Sequence, residues 1–497
     1  MNSVLEAATV LQGFLSRHLP MAIALVAAGC RPRHLTPPPG ASEAQMSQLP
    51  DGATMTEDEL SRTWTQEGLR HANVVNDYVR RGLTEGWESV ADVPRETLED
   101  NRGPLAQAVM RVVREANRRG ETNGLRERFP PAQEPLLAML DEQGQSLPLA
   151  LLLDDGRVVL QVGSPTESPR FHLIEGTTVT DLPGLIAIGR SPDRRFFALA
   201  TETGVNVHDG WQGPVISQLS WPTGLEGVPK ELNVPAPKNP PPVTRLVPFA
   251  DGSRALLVSE TGVFVLRSDG ASRLLPTSAE ILEDFELLRD DKSSVPLPYR
   301  LYMEHGAVSP DGKWIAAGHQ GSQHLVFDAE TLAVAGEIGP QSEYPHFAAF
   351  NADSSLILFN SCHFYSGITI GVPTSELPGL HTKPYEMAPP LIALEDGMRV
   401  YAAISRGDEF IVSDAYGYLR AFDFAGKFRW QHFIGSTIED IDISRDGKKL
   451  IVTSCAGFLC LLDLDTGERD PQTISTATHR ETRRWIFWKN EPAPLIW

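Results

Sequence analysis

Two histidines and a carboxylate are the residues best suited to chemistry. His305 lies six residues before Asp311, His346 lies seven before Asp353, and Glu304 and Glu439 stand at similar offsets from comparable aspartates. If those aspartates mark equivalent turns, the two imidazoles open neighbouring strands, and two imidazoles with a carboxylate suit zinc. The competing account is a pair of hydrogen-bonded histidines, because three or four donors must converge on a metal and sequence alone does not count them. Cys362 and His363 are adjacent, and adjacent strand residues point to opposite faces, which argues against a nucleophile and base pair. The segment Asp463-Leu464-Asp465-Thr466-Gly467 brings its glycine one position too early for a calcium loop and reads as a turn. The chain has no Gly-x-Ser-x-Gly elbow, Walker loop, dinucleotide fingerprint, His-Glu-x-x-His or Cys-x-x-Cys pair. The expectation is therefore no catalytic residue and no cofactor, with His305, His346 and Glu304 as the metal candidates.

The elements that must position these residues emerge from a repeat. Asp155, Asp193, Asp251, Asp311, Asp353, Asp408 and Asp446 each separate two apolar runs, at a mean spacing of about 48 residues. In five of the units a glycine follows about ten positions on, at Gly204, Gly262, Gly321, Gly417 and Gly457. A further turn aspartate closes those units, at Asp209, Asp269, Asp328, Asp423 and Asp463. Each unit thus spells strand, turn, strand, turn, strand, turn, strand. Four-stranded units at this period predict a mainly β protein, a seven-bladed β-propeller over residues 147–497 preceded by a helical N-terminal region. The 41 glycines and 39 prolines of the 497 residues agree with many short strands joined by turns.

The unit from Ala307-Val308-Ser309-Pro310-Asp311-Gly312-Lys313-Trp314 to Val326-Phe327-Asp328 resembles WD40-like bacterial propellers, and Asp442 to Glu468 repeats it. The stretch Asp414-Ala415-Tyr416-Gly417-Tyr418-Leu419-Arg420-Ala421-Phe422-Asp423, continuing to Trp430 and Gly435, resembles a blade of the quinoprotein-like propellers. No Trp-Asp dipeptide occurs, and Gly318-His319 falls at the second turn of its unit. What these resemblances imply is a fold, since turn chemistry transmits no activity. The functional expectation is a non-enzymatic scaffold mediating protein–protein interaction in a bacterial complex. An envelope-anchored assembly lipoprotein of the quinoprotein-like kind is one alternative. A metal-dependent hydrolase resembling the propeller lactonases, built on the His305 and His346 region, is another.

Residues 1–30 carry two readings. Val4, Ala8, Leu11 and Leu15 recur at helical spacing behind a Ser3 and Glu6 capping pair, which describes an amphipathic helix. Val26-Ala27-Ala28-Gly29-Cys30 resembles a bacterial lipobox, which would make Cys30 a lipidation site and the only route to a membrane. The address follows that choice: cell envelope in the second case, cytoplasm in the first. Residues 31–55 form a Pro-rich linker, and four cysteines are too few for a disulfide framework.

Residues 56–130 read as helical. Thr56 and Glu59 form a capping box, and a second helix opens at Pro104 and stops near Gly120. Its Arg111, Arg114, Arg118 and Arg119 make a basic stripe. The net charge of −20 argues against nucleic acid as a partner, and all but −3 of it falls after residue 140.

Two insertions interrupt the repeat: a Pro-rich segment of residues 220–243 that includes Pro240, and a helix capped by Thr277 and Glu280. Ile281, Glu283, Phe285, Leu288 and Pro240 are the partner-binding candidates, for another protein with basic character. Finally, the first unit shows only three clear strands, and Arg484-Trp485-Ile486-Phe487-Trp488 is expected to supply its fourth and close the ring. An aromatic partner-binding tail is the alternative use of Trp485, Trp488 and Trp497.

Overall fold

The computed structural model describes residues 55–166, 168–229, 236–290 and 300–497, with the side chains of 284, 285 and 287–290 excepted. Both readings of residues 1–30, Cys30 and nearly all of the linker lie outside the described residues. No described helix is long and apolar enough to cross a membrane.

Thr56 starts helix α1 (Glu57–Glu85) through a complete capping box with Glu59. A 3-10 turn containing Pro104 leads into α2 (Ala106–Arg119), which ends at Gly120 with a left-handed φ of 71°. Two short helices follow, α3 (Leu125–Arg128) and α4 (Leu137–Gln143). The basic stripe of α2 is largely neutralised within the fold, because Arg114 pairs with Glu491 at 2.7 Å and Arg118 and Arg119 share Glu115.

Seven antiparallel sheets follow in chain order, so the propeller has seven blades. Their strands are β1–β4 (Leu149–Asp181), β5–β8 (Ala187–Leu219), β9–β12 (Val243–Leu275), β13–β16 (His305–Ile338), β17–β19 with β21 (Tyr344–Asp396), β22–β25 (Val400–Phe433) and β26–β29 (Ile438–Ile486). Every one of the seven repeat aspartates falls in the turn between the first two strands of a blade. The reason is local: the carboxylate accepts the backbone N–H two residues on, from Asp155 to Arg157 at 3.0 Å, from Asp311 to Lys313 at 3.1 Å and from Asp446 to Lys448 at 3.1 Å.

Closure differs from expectation. The first blade is complete, because Thr178–Asp181 (β4) pairs with Arg170–Glu175 (β3). The tail strand Arg480–Ile486 (β29) pairs instead with Phe458–Asp463 (β28) as the outer strand of the last blade. β4 escapes sequence reading because it is a largely exposed outermost strand, Thr-Val-Thr-Asp, in which only Val179 packs against the core, and one apolar residue makes no alternation. The seam between last and first blades is closed by side chains of Ile438–Ile443 (β26). Asp440 accepts the Ala150 N–H at 2.9 Å, Asp442 the Leu152 N–H at 2.7 Å, and Glu439 the Ser146 hydroxyl and Leu147 N–H. Arg190 and Arg194 of the second blade also bind Asp442, at 2.8 and 3.3 Å. Trp485 and Phe487 pack into the apolar core of the first blade, so the tail seals the seam by packing.

Three outer edges are covered by the chain itself. Leu380–His381 (β20) adds in parallel to β16, Ser475 bridges to His432 on β25, and Leu495–Ile496 (β30) adds to β29. β30 lies under α2, where Asn117 hydrogen-bonds both backbone groups of Ile496. One apolar core runs from Trp64, Met110 and Phe129 of the helices to Ile438, Phe458, Trp488 and Trp497 of the last blades. Trp485, Trp488 and Trp497 are buried, which removes them as a partner-binding tail.

Candidate functional site

The antiparallel order of each blade puts the second-to-third strand turns and the blade-to-blade connections on one face. Both insertions emerge there and meet each other: Ser278 donates to the Gly227 carbonyl at 2.9 Å, and Arg273 reaches the carbonyls of Glu226 and Gly224. Helix α5 (Ser278–Asp290) starts at the expected capping pair, with Thr277 N–H donating to Glu280 at 2.6 Å. Its Ile281 is fully buried and serves packing, not a partner. Glu283 is exposed, Pro240 is half-buried, and the Phe285 and Leu288 side chains lie outside the described residues.

On blades four to six the same face is paved with aromatic rings. Phe364 in the β18–β19 turn is 72% exposed, Tyr385 66% and Tyr302 56%. They form one patch: Gln320 N–H donates to the Tyr302 carbonyl, Gln320 and Glu343 both bond the Tyr344 hydroxyl, and Tyr385 lies close enough to perturb it. His363 stacks edge-on to Phe364 and binds Glu343, while Tyr365 and Tyr416 approach to 6.2 Å. Arg399 fixes the turn by donating to the Phe364 carbonyl and lies over Tyr401 at 4.8 Å. The sequence signal for this patch was the distribution of tyrosine, eight of whose nine copies fall between 299 and 418.

The histidines of the sequence reading sit beneath this patch. His305 begins β13 and His346 is the third residue of β17, so both lie in first strands of neighbouring blades as their offsets imply, and a third imidazole, His324, stacks 5.4 Å from His305. Burial pushes His305 down to about 4 and holds His324 and His346 well below the ordinary histidine range, so all three are neutral near pH 7. His305 Nδ1 bonds the Met303 carbonyl at 3.0 Å, His324 Nε2 the Ser361 hydroxyl at 3.0 Å, and His346 Nε2 accepts from Arg399 at 3.1 Å. Glu304 accepts from Thr244, and Glu439 belongs to the ring seam. Cys362 is buried and burial raises its thiol, while His363 points to Glu343.

Among the described residues one set brings three metal-type ligand atoms within 4.8 Å of one another: His71, Asp100 and Glu134. They lie beside a cavity of about 440 Å³ between the helices and the last two blades, lined also by Arg102, Arg126, His432, Glu481 and Arg484. Burial would raise the Asp100 carboxyl, but the Arg102 guanidinium, bonded through Nε at 2.9 Å and Nη2 at 2.7 Å, holds it down. Burial and the Asp100 charge push Glu134 up to about 7. Across the cavity burial opposes ionisation of Glu481, yet Arg484 and Arg126 outweigh it and hold the carboxyl at about 2. The three potential ligands come from separate segments with no shared spacing, so no sequence motif announces them.

No protein-family profile and no curated protein matches the chain. Solved structures do match. The β-propeller domain of Cps50 (Swd1) from Myceliophteria thermophila is 13% identical, with 66% of this chain and 96% of that one covered and a TM-score of 0.41. Hsv2 of Kluyvelomyces marxianus is 10% identical over 69% and 99%, at 0.37, and hydrazine synthase of Kuenenia stuttgartiensis 12% identical over 65% and 97%, at 0.42. The protein is a seven-bladed β-propeller by its own strand order.

Proposed function

We propose that the protein is a non-enzymatic scaffold that binds another protein through the aromatic patch of blades four to six. The observation that carries this reading is the joint exposure of Phe364, Tyr385 and Tyr302 in one surface underlain by ordered polar contacts. Large exposed rings on a rigid base lose little conformational entropy on docking and are the residue types that dominate interface energetics. Glu343, His363 and Arg399 supply the polar rim. The helical insertion carrying Glu283 reaches His319 beside the patch through Glu280, and the Pro-rich insertion carrying Pro240 packs against it and extends the surface toward blade three. A propeller suits this role because its strands are fixed by packing while its connections vary.

The test is affinity capture with the wild type and with Phe364→Ala plus Tyr385→Ala. Both side chains are exposed, so the double variant should fold and melt as the parent does. The expected result is loss of at least one captured partner, with its affinity weakened by about tenfold or more. Unchanged recovery of every partner by the folded variant removes the patch from consideration.

A further inference from the structure

We infer that His71, Asp100 and Glu134 form a binding site for one divalent transition-metal ion, zinc being the fitting probe, at the junction of the helical region and the propeller. One ligand atom from each residue lies within 4.8 Å of the other two. His71 comes from the buried face of α1, Asp100 from the loop before α2, and Glu134 from the 3-10 turn before α4. Each already has the outer partner that a metal ligand needs. His71 Nε2 lies 3.1 Å from the Leu98 carbonyl, which can only accept, so the proton sits on Nε2 and Nδ1 keeps a lone pair. That lone pair faces Asp100 Oδ2 at 3.6 Å, too far for a hydrogen bond and near the separation of two donors around a shared cation, while Glu134 Oε2 approaches the same ring at 3.8 Å from Nε2 and must turn toward Nδ1 to share the ion.

Arg102 grips both Asp100 oxygens and fixes the carboxylate, and the Asp100 amide bonds the Glu134 carboxylate. An imidazole and carboxylates held in place by outer hydrogen bonds keep their lone pairs aimed at a metal. One nitrogen and two oxygens suit zinc and its neighbours better than calcium, and the adjacent cavity leaves room for water to complete the coordination. This set stands apart from His305, His346 and Glu304: one nitrogen of each of those histidines and the Glu304 carboxylate are engaged by Met303, Arg399 and Thr244, and the remaining nitrogens, His305 Nε2 and His346 Nδ1, are not gathered with a carboxylate into a three-donor set among the described residues.

Calorimetric titration of chelator-stripped, full-length protein with zinc tests the site. The expected result is uptake of one ion per chain, with an X-ray absorption spectrum of one imidazole and oxygen donors, and a rise in melting temperature at saturating zinc. His71→Ala should abolish uptake. Glu134→Gln, which keeps shape and packing, should weaken it by about tenfold or more and cancel the thermal shift. No stoichiometric uptake overturns the site. So does uptake that persists undiminished in folded Glu134→Gln, or that is lost instead on His305→Ala plus His346→Ala.

Discussion

Asp440 shows how one buried carboxylate can close a ring and cost stability at the same time. Burial raises its pKa to about 6, against the pull of Arg245 and the Ala150 N–H. The folded protein therefore holds the proton more tightly than the unfolded chain does. Such a group destabilises the fold progressively as pH rises from its unfolded value near 4 to about 6, and the penalty is complete above that. Asp440→Asn keeps an acceptor for Ala150 and removes the charge. It should stabilise the protein by on the order of 2 kcal/mol at pH 7 and have little effect at pH 4, read from urea unfolding at both values. Equal effects at the two pH values would contradict the argument. Asp442→Ala is the opposite case: it strips the acceptor from Leu152 N–H and Arg190 and should cost about 3 kcal/mol or more. Residues of this kind were hard to read from sequence. The turn aspartates were legible because six of the seven bond an amide two residues away, whereas Asp440 and His71 act on segments hundreds or tens of residues distant.

Among the elements, inner strands declared themselves and outer ones did not. β10 and β27 are apolar runs buried on both faces. β4 and β20 face solvent or cover an edge, so backbone pairing places them and side-chain pattern does not. The tail illustrates the same limit, since its tryptophans signalled burial but not which neighbours they meet. Trp497 is 2% exposed, its indole N–H donates to the Phe129 carbonyl at 2.6 Å, and its backbone pairs with Arg484 in both directions. Trp497→Ala should cost about 3–5 kcal/mol and open the helical region first. Limited proteolysis checks this: cleavage between α2 and α3, near residues 120–124, should accelerate in the variant while the blades stay intact.

At the scale of the whole molecule, the seven-fold repeat was plain because it is written seven times. The docking of the helices was not, because it is written once and shared between distant segments. The apolar core joining Trp64, Met110 and Phe129 to Ile438, Phe458 and Trp488 makes the two parts one cooperative body. Residues 147–497 expressed alone would expose that surface, so the isolated propeller should aggregate or melt well below the full chain, as size-exclusion chromatography and thermal unfolding will report. An isolated propeller as stable as the parent would show that the helices merely rest on it.

The order in which these parts can finish differs from that of a ring that lends a strand. The first blade is complete once residue 181 has left the ribosome, and no later strand is owed to it. Synthesis of the roughly 300 residues from there to Trp497 takes tens of seconds at ordinary translation rates, and blades can stack one after another during that time. The delay falls on the beginning of the chain instead. The Phe129 carbonyl and the apolar face of α2 receive their partners only when β30 and Trp497 are released. The helical region is thus made before the blades and settled after them, and it is the nascent protein's exposed flank while they form.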